Sequence, residues 1–167
     1  FAQVEADVQR VNLTQFSLFF QEKREFFLEN SGLFYVGDAA RNLRVRLTPT
    51  SDTDLLPFFS RRIGISDDRQ VVPIKGGVRL TGQEAGLMVG GLWMRTSEIT
   101  GTPSYDYSVL RLRKNLLRGS DIGGIFLMRN ALGGEADYNR VYGLDSYFRF
   151  PGEIDWSSYY LKSDSPS

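Results

Sequence analysis

The chain has no cysteine and no histidine. Without cysteine there is no disulfide, no thiolate nucleophile and no thiolate metal ligand. Without histidine, Ser-His-Asp chemistry, histidine-ligated zinc and histidine-held haem are excluded within this chain. An excess of charge is missing too: 20 Lys and Arg face 20 Asp and Glu, for a formal net charge of zero. Nucleic-acid binding wants a basic surface, so no nucleic-acid partner is expected. No apolar run approaches the roughly 20 residues of a membrane-spanning helix. The lack of cysteine fits either side of a bacterial inner membrane and leaves the redox compartment open. The chain begins at Phe1 rather than Met and reads as a processed chain or a piece of a longer one.

What is present points to β structure. The 167 residues suffice for one domain with a sizeable core. Aromatics make up 13% of them, and glycine occurs 17 times without any long apolar run beside it. From about residue 74 onward, β-type segments follow one another: Ile74–Gly82, Gly86–Ser97, Tyr105–Leu116, Ile122–Asn130, Tyr138–Phe150 and Ile154–Lys162. Turn residues separate them, as in an antiparallel meander. Several reach the roughly 9–11 residues of a tilted membrane strand. In the last two, Tyr142, Leu144, Phe148 and Phe150 share one face, as do Ile154, Trp156 and Tyr160. Asn139, Asp145 and Arg149, and Asp155, Ser157 and Ser163, share the opposite faces. That alternation suits an outer-membrane barrel, and equally any half-buried soluble sheet. Leu87–Met94 and Ile122–Met128 are apolar on both faces, which predicts strands covered on both sides.

Residues 1–73 are irregular by comparison. A helical turn is expected near residues 14–20 and a short strand at Leu43–Leu47, with polar loops at Thr48–Asp54 and Ser66–Gln70. The organising stretch of this half runs from Phe19 to Glu29. It sets Phe19, Phe20, Phe26 and Phe27 around Glu22, Lys23, Arg24 and Glu29. Two Phe-Phe pairs left in water would make an aggregation-prone patch, so they are expected to plug the sheet that begins near Ile74. Charges so close to buried rings need neutralising. Phe58–Arg62 supplies both aromatics and a double arginine, so Glu22 or Glu29 is expected to pair with Arg24, Arg61 or Arg62.

Other candidates have plainer readings. Glu5 and Asp7, with Asn12, offer oxygen ligands to a hard cation, but no calcium-loop spacing accompanies them. No metal or other cofactor is therefore assigned. Gly76-Gly77 and Gly133-Gly134 lack the Gly-Lys-Ser/Thr of a phosphate loop and read as turn or bulge glycines. Trp93, Tyr105, Tyr107, Trp156, Tyr159 and Tyr160 suit a sugar-stacking surface, an interfacial girdle or a core. No acid pair has the context of a glycosidase, and no catalytic residue is assigned.

Several motifs follow one another in order: Phe1–Asp7, Val11-Asn12-Leu13, the Phe19–Glu29 block, Ser60–Gly64, Pro73–Gly77, Tyr107–Arg111 and Asn139–Asp145. Together they resemble the DUF5916 family of bacterial envelope proteins of unknown function. The resemblance implies a secreted protein with an upstream carbohydrate-binding-like domain and a C-terminal region like an outer-membrane β-barrel. It carries no catalytic residues. Gln21 and Glu25 stand where the family usually has proline, which implies a less kinked plug here. About six long segments also fall short of the eight or more strands of a closed membrane barrel.

The fold expected is therefore mainly β: an irregular N-terminal segment, residues 1–73, followed by an antiparallel meander of about six long strands, residues 74–167, as a partial or open barrel-like sheet. The function expected is non-enzymatic and structural, in the bacterial outer membrane or periplasm. An accessory subunit docked on a larger membrane-protein complex is the alternative. A polysaccharide-binding or polysaccharide-processing role ranks third, with carbohydrate reached through the upstream domain.

Overall fold

The computed structural model describes residues 22, 24–28, 31–37, 57–66, 70–133, 137–152 and 154–166. The helical turn expected at 14–20 and the strand expected at Leu43–Leu47 lie outside these residues.

The fold is mainly β. Six antiparallel strands form one open sheet in simple sequence order: β1 Ile74–Glu84, β2 Leu87–Thr96, β3 Ser104–Asn115, β4 Asp121–Leu132, β5 Tyr138–Phe150 and β6 Ile154–Asp164. Each expected segment coincides with one strand to within two residues at either end. The first hairpin turns on Ala85 and Gly86, both with positive φ, the backbone that a tight two-residue hairpin demands. Gly76 lies where the β1–β2 register slips, so the bulge reading of that glycine holds at its first member. Gly77, paired with Met94, has a different reason to be small: a Cβ there would run into the Met94 sulfur.

The register divides the side chains between two faces. Met94 in β2, Tyr107 in β3, Arg129 in β4 and Asn139 in β5 lie in one row and share one face. The described part of the N-terminal segment packs on this inner face. It contributes the one-turn helix α1 at Glu25–Leu28 and 3-10 turns at Ser31–Phe34 and Ser60–Arg62. Phe27, Phe34, Val36 and Ile63 from the segment meet Leu92, Met94, Val109, Ile125 and Leu127 from β2, β3 and β4 in one buried cluster. Burying Phe27 alone contributes about 2 kcal/mol.

The other face is covered by nothing among the described residues. Leu80, Leu110, Leu144, Trp156 and Tyr160 all point outward there and are 46–70% exposed. This corrects the expectation for Leu87–Met94 and Ile122–Met128. Their inward positions, such as Leu92 and Ile125, are buried under the N-terminal segment, but Leu87, Trp93 and Ile122 stand exposed on the outer face. The described part of the segment covers one side of the sheet, and both faces of the sheet are apolar.

Candidate functional site

The inner face has a charged centre inside its apolar surround. Arg111 in the middle of β3 and Asp145 in β5 point inward across Gly123 of β4. Their side chains are 0% and 2% exposed and meet in a two-pronged ion pair at 2.6 and 2.8 Å. Each also reaches the N-terminal segment. Arg111 Nε donates to the Leu33 carbonyl at 3.2 Å, and the Gly37 N–H donates to Asp145 Oδ2 at 3.2 Å. Gly123 makes this possible, because a Cβ there would lie 2.7 Å from both Arg111 and Asp145 side-chain atoms. Gly90 in β2 makes a second recess, where a Cβ would lie 2.5 Å from Leu33 Cδ2.

Further pairs line the same face. Arg113 binds Asp121 at 2.9 Å, Arg129 binds Asp137 at 3.0 Å, and Arg149 binds Asp155 at 3.1 Å. The Tyr105 hydroxyl donates to Asp137 at 2.7 Å. Burial of the phenol, reinforced by that bond to a carboxylate, pushes its pKa up to about 12.

Within the N-terminal segment, Arg24 pairs with Glu22 at 2.7 Å and donates to the carbonyls of Ser60 and Ile63 at 2.9 Å each. Ser60 Oγ donates to Glu22 at 2.7 Å. Burial alone would raise the Glu22 pKa, but the bonds from Arg24 and Ser60 outweigh it and hold the carboxyl below its ordinary value. The Arg24 guanidinium also sits 4.3 Å from the centre of the Phe27 ring. The 22–28 and 58–63 stretches therefore meet, through Ser60 and the Ile63 carbonyl. Phe27 is buried and Phe26 half-buried; Arg61 is half-buried and Arg62 exposed, both in the Ser60–Arg62 turn. Phe19, Phe20, Lys23 and Glu29 lie outside the described residues, as do Glu5, Asp7 and Asn12.

The six aromatic candidates for sugar stacking divide between faces. Trp93, Trp156 and Tyr160 point outward, while Tyr105, Tyr107 and Tyr159 point inward, so they form no single platform. Among the described residues no three Asp or Glu gather as a metal ion would need. Sequence reasoning missed the Arg111–Asp145 pair. Its signal was two opposite charges in the middle of long strands, each in phase with apolar inward neighbours.

The family model for DUF5916, a domain of unknown function, matches residues 1–91. That is more than half of the 167 residues. The chain belongs to the DUF5916 family. The DUF5916 match takes in the N-terminal segment, β1 and the first half of β2. No curated protein and no solved structure matches this DUF5916 chain.

Proposed function

We propose that this DUF5916 chain is a structural part of an outer-membrane β-barrel-like protein of the bacterial cell envelope and performs no chemistry of its own. One observation carries the reading: both faces of the sheet are apolar, yet the described residues cover only one of them. The covered face packs a hydrophobic core and buried ion pairs against the N-terminal segment, while the uncovered face exposes an apolar, aromatic-rich surface. In water such an exposed apolar face is an aggregation hazard; against hydrocarbon it is what a strand wall presents. Its charged outward residues keep to the strand ends. Arg95 and Asp106 pair at one end, while Lys114 and Glu84 stand at the other. Trp93 in β2 and Trp156 in β6 sit where an interfacial aromatic belt would place them.

The edges favour the same reading. β1 and β6 are each 11 residues long, though a strand meant to end a sheet is usually short. Further strands are expected to pair with them. A partner protein covering the same edges is the second reading, an accessory subunit docked on a membrane complex.

Fractionation of cells making the full-length protein tests the proposal. Recovery in the outer-membrane fraction, resistant to salt and released by detergent, is expected. Recovery in the cytoplasm would end both readings. Co-purification with a larger membrane complex, and no insertion without it, would favour the second.

A further inference from the structure

We propose that a groove on the outer face holds one acyl chain of an anionic phospholipid, with the lipid phosphate on Lys114. The inference rests on the membrane reading above and adds a specific lipid seat to it. The groove has a volume of about 570 Å³. Leu87, Leu112, Ile122, Leu144 and Tyr160 are among its lining side chains.

The groove has a cause in the register. Ile122 pairs with Ser146, which pairs with Ser158, and Gly124 pairs with Leu144. Outward positions on three neighbouring strands are therefore Gly124, Ser146 and Ser158, small residues among Leu, Ile and Tyr. They hollow the surface where their neighbours build it up. The two serine hydroxyls bond to each other at 2.8 Å, which leaves a single hydroxyl hydrogen in the floor. An apolar channel with so little polar demand suits a hydrocarbon chain.

Charge selects the kind of lipid. Of the charged residues lining the groove, Arg113 and Asp145 turn their side chains to the inner face, where Asp121 and Arg111 meet them, and Lys114 points outward. Lys114, at the groove's mouth, donates to the neutral carbonyl of Ala85 at 2.8 Å and meets no carboxylate among the described residues. An apolar helix would cover the walls but give Lys114 no counter-charge. An anionic headgroup above a chain in the groove gives it one.

Native mass spectrometry of the full-length protein, extracted in mild detergent and titrated with phosphatidylglycerol or with phosphatidylcholine of the same chains, reads this directly. One retained lipid per protein is expected, with phosphatidylglycerol preferred about fivefold, the worth of one lysine beside an anionic lipid surface. Gly124→Leu should abolish the retained lipid while membrane insertion continues. Lys114→Gln should keep it and erase the preference. Equal retention by Gly124→Leu and the parent, or a dimer of the chain in place of lipid, would overturn the proposal. Either result in a protein that still inserts leaves the membrane reading standing; failure to insert at all brings down that reading instead.

Discussion

At the scale of single residues, the Arg111–Asp145 pair fixes where the N-terminal segment sits. Two buried charges cost more to desolvate than their attraction returns unless every donor and acceptor is met. Here the spare positions go to Leu33 and Gly37, so the pair holds that segment's backbone in one register. Arg111→Met alone should destabilise by about 3–5 kcal/mol, because it strands Asp145 uncharged-partnered in the interior. The double change Arg111→Met with Asp145→Leu should recover most of that in a denaturant titration. Amide exchange at Gly37 should nonetheless be faster in the double variant than in the parent, because its acceptor on Asp145 is gone. If the double variant were as unstable as the single, the pair would be more than a positioning device.

Glu22 gives a pH test at the same scale. Its folded pKa lies below its ordinary value of 4.5, so its contribution to stability is fully present above that value. The contribution is lost as pH falls through the folded pKa. Local protection around Arg24 should therefore weaken in acid, and Glu22→Gln should flatten that dependence. Hydrogen exchange followed from neutral pH down to strong acid checks it; an unchanged profile in Glu22→Gln would remove Glu22 from the explanation.

At the scale of elements, the six strands were legible and the segment that packs on them was less so. Long alternation and turn residues located each strand to within two residues, Tyr138–Phe150 at both ends. Which face is covered was not legible, because β2 and β4 are apolar on both sides and periodicity does not say what lies against each. The Arg111–Asp145 contact was hidden for a related reason. It joins residues 34 apart in sequence, and only the register of three strands brings them together. The plug's own ion pair was nearer to hand, since Glu22 and Arg24 are two residues apart. Two neighbouring glycines of β2 offer a contrast between faces. Gly90→Val pushes into Leu33 and should cost about 1–3 kcal/mol by overpacking. Gly91→Val meets nothing within 4 Å on the outer face and should be tolerated. Thermal unfolding of both variants decides this, and equal losses would mean that the segment does not sit on Gly90. Phe27→Ala in α1 should cost about 3–5 kcal/mol, as truncation of a buried ring does.

At the scale of the whole molecule, the sheet is a wall with one apolar face packed around buried ion pairs and the other left uncovered by the described residues. The central claim is that the uncovered face lies against lipid. Nitroxide labels placed singly along β5, from Tyr142 to Phe150, in the full-length protein reconstituted into bilayers, test it most directly. Accessibility to dissolved oxygen is expected to alternate, high at Tyr142, Leu144, Ser146, Phe148 and Phe150 and low at Gly143, Asp145, Tyr147 and Arg149. Accessibility to a water-soluble nickel reagent should be low at the same outward positions. Outward positions open to the nickel reagent, or no alternation along the strand, would contradict the membrane-wall reading.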